Sequence, residues 1–191
     1  FDGEDVLIDA GTGLYFGKEA WRNWFRGENA HSGIFSDNIS WGAIRGPFEI
    51  LRPALGTIEL SDDAIKSYCL NPRDGNPTRT VKLSNNQVEI SDFLDLPGPV
   101  VNFVLPHEAE ISKDHNSVSI SGPGFVLEHS PIPDSIRILE EFSTPSDDSE
   151  PSDSTAIASN GYGTYHRCRI VQLSHGRGAR TLTRISPTKV S

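Results

Sequence analysis

Thr80-Val81-Lys82-Leu83-Ser84-Asn85-Asn86-Gln87-Val88-Glu89-Ile90 settles the secondary-structure class of this chain. Val81 and Leu83 flank Lys82, and Val88 and Ile90 flank Glu89, which is the two-residue period of half-buried strands. Between the two runs, Ser84-Asn85-Asn86-Gln87 supplies residues that tolerate the left-handed backbone of a tight hairpin. The stretch predicts two antiparallel strands with Val81, Leu83, Val88 and Ile90 on one core face.

The same alternation recurs on both sides. Val118-Ser119-Ile120, Ile136-Arg137-Ile138 and Arg169-Ile170-Val171 read as strands, as do Asp5 to Asp9, Val100 to Val104, Phe125 to Glu128 and Thr181 to Ile185. Pro97-Gly98-Pro99, Gly122-Pro123-Gly124 and Pro131-Ile132-Pro133 break the chain at short intervals. Short strands between closely spaced breakers predict an all-β fold, an antiparallel β-sandwich, rather than βαβ units. Helix is confined to a turn or two at Lys18 to Trp24 and another at Asp62 to Tyr68. Residues 143–161, rich in Ser, Pro, Asp and Thr, read as a mobile surface loop in which only Ala156 and Ile157 have anything to bury.

A chain of 191 residues fits one domain with a core of its own. It opens at Phe1 and contains no Met, so a continuation upstream is expected. The formal net charge of −9 argues against nucleic acid or an anionic membrane as partner, because both demand clustered Lys and Arg. It also sits awkwardly with an acidic ligand. The charge is uneven, however: acids crowd 147–153, whereas Arg22, Arg26 and Arg45 lie near the amino end. No apolar run reaches the roughly 18 residues of a membrane helix. Cys69 and Cys168 form neither a disulfide framework nor a zinc cluster and read as two buried free thiols.

No Gly-rich phosphate loop, Cys-x-x-Cys pair, His-Glu-x-x-His helix or Gly-x-Ser-x-Gly turn is present. The chemically dense stretch is Trp21-Arg22-Asn23-Trp24-Phe25-Arg26-Gly27-Glu28-Asn29-Ala30-His31-Ser32. Trp faces stack on the C–H faces of sugar rings, Arg grips carboxylate or sulfate in a fork, and Asn bonds ring hydroxyls. That assigns Arg22, Asn23, Trp24, Arg26 and His31 as candidate sugar contacts. An alternative stays open, in which Trp21, Trp24 and Phe25 anchor a core and the arginines pair with local acids such as Asp9 or Glu28. The remaining histidines, His107, His115, His129, His166 and His175, are read as solvated side chains on loops and strand ends.

The order of motifs resembles the carboxy-terminal domain of the heparinase II/III-like polysaccharide lyases. Val6-Leu7-Ile8-Asp9-Ala10-Gly11-Thr12, Arg22-Asn23-Trp24-Phe25-Arg26, Ala30-His31 and Trp41-Gly42-Ala43-Ile44-Arg45 are similar to that family's successive motifs. Arg79-Thr80-Val81, the hairpin after it and Gly161-Tyr162-Gly163 continue the likeness. Ser32-Gly33 departs from it, standing where the family carries Asn-Thr.

The resemblance implies a β-sandwich that packs against an upstream α-helical toroid domain, with a cleft for an acidic polysaccharide between them. It implies β-elimination of uronic-acid-containing chains, with the acid and base on the toroid, so that this chain alone is inactive. It further implies a divalent metal, zinc or calcium, with His31 as ligand and Glu49 as a possible carboxylate partner. A periplasmic or extracellular location would suit such a substrate. The alternative is a non-catalytic carbohydrate-binding or exopolysaccharide-assembly module on the same sandwich.

Overall fold

The computed structural model describes residues 3, 5–14, 18–39, 42–45, 49–51, 55–70, 74–84, 86–146, 149–161 and 163–188. Among the described residues one helix, α1 (Glu19–Arg26), and a 3₁₀ turn (Glu28–Ala30) precede fifteen strands. These are β1 (Gly33–Ser36), β2 (Ala43–Arg45), β3 (Glu49–Leu51), β4 (Leu55–Leu60), β5 (Ala64–Leu70), β6 (Thr78–Ser84), β7 (Gln87–Leu94) and β8 (Pro99–Pro106). The rest are β9 (Glu110–Lys113), β10 (Val118–Gly122), β11 (Phe125–Ser130), β12 (Ser135–Leu139), β13 (Ile157–Gly161), β14 (Thr164–Ser174) and β15 (Ala179–Pro187).

Two sheets form the sandwich. One runs β4-β5-β6-β7-β15-β11-β10-β9, and the other runs β1-β8-β14-β12 with β13 also paired to β14; β2 and β3 form a separate hairpin. The ladders between named strands are antiparallel, as the alternation in the sequence predicts. Between the sheets lie Ile90, Leu94, Val101, Phe103, Leu105, Val118, Ile120, Phe125, Leu127, Val171, Leu173 and Ile185.

β8 explains the third layer. Its sequence Pro-Val-Val-Asn-Phe-Val-Leu-Pro is buried at every position but the last. Alternate residues point to opposite faces, so Val101, Phe103 and Leu105 enter the inter-sheet core while Val104 joins a second cluster with Leu139, Ala156, Ala158, Cys168 and Ile170. Over that second face lies α1, whose Trp21 and Phe25 pack with Ala10, Leu14, Ala30 and Ile157.

The hairpin of β6 and β7 forms in the expected register, Leu83 opposite Val88 and Ser84 opposite Gln87, and Asn86 takes the left-handed turn position at φ 65°; Asn85 lies outside the described residues. Ile90 is buried and Val81 and Val88 pack against the inter-sheet core, but Leu83 is 71% exposed. The eight-stranded sheet is wider than the sheet facing it, so the outer end of β6 runs past the cover.

Four further expectations are corrected. Asp62 to Tyr68 is not helix: Asp62 and Asp63 bend into β5, which starts at Ala64 and finds ladders on both sides, with β4 and β6; pairing outweighs local propensity. Asp5 to Asp9 is not a strand: this stretch meets β8 through one bond from Ile8 N to Val104 O at 2.9 Å. The stretch 143–161 ends in core strand, with Ala156, Ile157 and Ala158 at 0% exposure, and its earlier part is fastened by Trp21 Nε1 donating to Ser149 O at 2.7 Å. His129 and His175 are buried between strands rather than solvated. Both cysteines are free, Cys168 buried and Cys69 half-buried.

Candidate functional site

α1 spans eight residues and is too short to persist by itself, so its placement rests on packing. Trp21 and Phe25, four apart, supply the buried stripe. At 100° per residue Arg22, Asn23 and Arg26 fall together on the next sector of the same helix. Arg22 and Arg26 share a face, as their spacing suggests, because α1 runs on to Arg26, two residues past the helical turn expected at Lys18 to Trp24.

The two arginines differ in their surroundings. Arg26 donates from Nη2 to the carbonyl oxygen of Glu49 at 3.4 Å. Arg22 is 6% exposed, and its Nε is buried without a hydrogen-bond partner. Among the described residues no carboxylate pairs with Arg22. Beside it, Oδ1 of Asn23 is likewise buried without a partner. A desolvated guanidinium lacking a counter-ion is costly. Trp24 is half-buried, edge-on to Phe25 at 5.1 Å between ring centres, and packs against both clusters beneath α1. The core role weighed for Trp21, Trp24 and Phe25 thus accounts for most of their surface.

His31 sits just past the 3₁₀ turn, and both ring nitrogens meet acceptors. Nδ1 lies 2.7 Å from Oδ2 of Asp9, and Nε2 lies 3.0 Å from the carbonyl oxygen of Phe25. Asp9 is held in place by its other oxygen, which accepts from the Gly11 amide at 2.7 Å. Gly11 is left-handed at φ +70°, and a Cβ there would collide with the carbonyl oxygen of Ser159, so this turn requires glycine. Burial works to raise the Asp9 carboxyl, but the hydrogen bonds from His31 and Gly11 and the nearby His31 ring outweigh it and hold Asp9 below the usual carboxylate range.

A residue overlooked in the sequence supports this loop from below. Asn102 of β8 is fully buried and donates from Nδ2 to Asn29 O at 3.1 Å and to His31 O at 2.7 Å. Ser32, which departs from the family pattern, accepts from the Val104 amide at 2.9 Å. A polar residue inside the apolar run of β8 was the available signal.

The donor set does not suit a metal ion in this arrangement. A ligating histidine must present a free lone pair, whereas both His31 nitrogens are engaged. Glu49 faces Arg45, its Oε2 3.6 Å from Nε. Among the described residues no group of three His, Cys, Asp or Glu side chains converges. Purified protein is expected to carry less than one equivalent of zinc or calcium by elemental analysis; a full equivalent that disappears in His31→Ala would reverse this reading.

The geometry defines a class: a large antiparallel sandwich whose outer face carries a short helix with a polar sector and a loop pinned by Asp9, Asn102 and His31. The chain belongs to the Heparinase II/III-like, C-terminal family, which matches residues 1–122. Among solved structures it resembles a Heparinase III gene product with methylated lysines, at TM-score 0.65 and 16% identity over 100% of this chain and 29% of that one. It also resembles heparan sulfate lyase HepC from Pedobacter heparinus, at TM-score 0.60 and 18% identity over 97% of this chain and 29% of that one. A further Heparinase III crystal structure matches at TM-score 0.62 and 15% identity, over 100% and 29% of the two chains. No curated protein matches the chain. At these identities the structural likeness establishes the fold, and the chain spans under a third of the neighbours' length. Trp41 and Tyr162, which belong to the motifs quoted above, lie outside the described residues. No helix among the described residues is long and apolar enough to cross a membrane.

Proposed function

We propose that this chain is the sandwich part of a polysaccharide lyase that cleaves uronic-acid-containing chains by β-elimination, and that α1 and the His31 loop form one wall of the substrate cleft. The observation that carries the reading is Arg22, buried and, among the described residues, without a carboxylate partner, next in the helix to Asn23, whose Oδ1 is buried without a hydrogen-bond partner. An acidic sugar would supply the carboxylate or sulfate that Arg22 lacks and a hydroxyl for Asn23. Family membership supports the substrate class. The opposite wall, with the acid and the base, belongs in this proposal to an upstream α-helical toroid domain, and a periplasmic or extracellular location follows from the substrate.

β-Elimination requires that the uronate carboxylate be neutralised while charge develops on it. Arg22 is suited to bind the chain at a neighbouring sugar, and Asp9, Asn102 and His31 act by positioning the loop. Arg22→Ala in the polypeptide carrying this domain should weaken binding of an acidic oligosaccharide by about one to two decades, because a desolvated charge-assisted contact contributes roughly 1.5–3 kcal/mol. Titration calorimetry with a uronate-containing oligosaccharide would measure it. Unchanged affinity in a well-folded variant would remove Arg22 from the cleft and favour the non-catalytic module.

A further inference from the structure

Two histidines 46 residues apart meet inside the sandwich. His129 lies on β11 and is fully buried; His175 follows the end of β14 and is 7% exposed. Their Nε2 atoms face each other at 3.0 Å, and Nδ1 of His129 lies 2.7 Å from Oγ1 of Thr183 on β15. β11 and β15 belong to the eight-stranded sheet and β14 to the other. His175 is fixed to its own sheet as well, its amide donating to Pro99 O at the start of β8 at 3.0 Å. The contact therefore joins the two sheets by a buried polar link.

An imidazole–imidazole hydrogen bond needs one N–H and one lone pair. The neutral pair satisfies that requirement. A second proton on this edge would set two N–H groups against each other at 3.0 Å and leave one imidazolium buried between the sheets. The neighbours on the packed elements oppose a charge on His129 and only partly offset one on His175. From β8 comes the apolar ring of Phe103, centred 6.0 Å from the His129 ring. From β6 comes the positive Arg79, tied to Asp92 of β7 at 2.8 and 2.9 Å. Asp134, in the turn before β12, and Asp92 act on His175.

We propose that the His129–His175 pair is an acid-sensitive latch between the two sheets, closed while the rings are neutral and opened when the pair takes up a further proton. The electrostatics agree with that geometry. Burial, then His175 and Arg79, push His129 down to about 3. Burial also lowers His175, against the pull of Asp134 and Asp92. Both rings thus bind protons more weakly in the folded chain than in the unfolded one, where histidine titrates near 6.5. Their contribution to stability is complete above about pH 6.5 and declines as pH falls toward the folded value. Asp9, Asp63, Asp95 and Asp114, all held low, begin to lose theirs only near and below the ordinary carboxylate value of 3.8. The interval from pH 7 to 5 therefore isolates the histidines.

The test is urea denaturation of the protein at pH 7, 6 and 5, alongside a nitrogen-detected NMR titration of the imidazoles. For His129 alone the folding constant should fall about 25-fold between pH 7 and 5. His129→Gln keeps a polar partner for Thr183 and His175 and should remove most of that fall. Should the variant fail to fold, the NMR titration of the unaltered protein decides: the His129 ring is expected to remain neutral at pH 5 while the protein is folded. A His129 ring that titrates near 6.5 in the folded state, a folding constant that is flat from pH 7 to 5, or a His129→Gln variant with the full decline would each overturn the latch.

Discussion

Asp92→Ala should destabilise the protein by about 3 kcal/mol, with about 5 as an upper value, since removing one partner of a buried ion pair leaves the other charge uncompensated. The Asp92 side chain is 0% exposed and meets Arg79, 16% exposed, in a two-pronged bond from Nε and Nη2 at 2.8 and 2.9 Å. The expected cost lies toward the lower figure because Arg79 lines an opening with Ser32, Gly33 and Ser67, where a freed guanidinium can reach water. Replacing both residues with apolar side chains, Asp92→Leu with Arg79→Met, should recover most of the loss, because no lone charge then remains. Urea denaturation at pH 7 measures both. A loss under about 1 kcal/mol in Asp92→Ala would mean that the pair behaves as a surface ion pair.

Trp21→Ala should cost about 3–5 kcal/mol, the range for deleting a fully buried large aromatic. Trp21 is 1% exposed among Ala10, Leu14, Phe25, Ala30 and Ile157, and its ring N–H is the bond that fastens Ser149. The cavity would lie beneath the helix that presents Arg22 and Asn23, so acidic-oligosaccharide binding should fall together with stability. Trp21→Phe separates the two contributions: it keeps most of the packing and loses the hydrogen bond, at about 1 kcal/mol. Limited proteolysis of Trp21→Phe should then cut faster within 143–154, where Ser149 has lost its tie. Equal cleavage rates in the two proteins would show that the loop is held by other contacts, such as Lys18 Nζ donating to Pro145 O at 2.9 Å.

The strands legible in the sequence were those in which period and turn chemistry agree. β6 and β7 alternate and carry an asparagine at the left-handed turn position, and β10, β11, β12, β14 and β15 alternate between breakers. β5 was missed because Ala64 to Tyr68 carries no breaker and only its ladders with β4 and β6 impose extension. β13 was missed because Ala156-Ile157-Ala158 is too short a run to stand out from the Ser, Pro and Asp around it, yet it lies across β14 and beneath α1.

Legible in the sequence alone were the antiparallel all-β class, a short helical turn near Trp21, the four-residue spacing of Arg22 and Arg26, and the candidate segment ending at His31. Those properties are local, set by side-chain period, turn residues and residue chemistry within a dozen positions. Contacts across the fold settled which arginine is tied to Glu49 and which is buried with no carboxylate partner among the described residues, which nitrogens of His31 are engaged, and that His129 meets His175. Each of these depends on solvent exclusion and contact between residues distant in the chain, and local sequence does not encode how two sheets of unequal width cover one another.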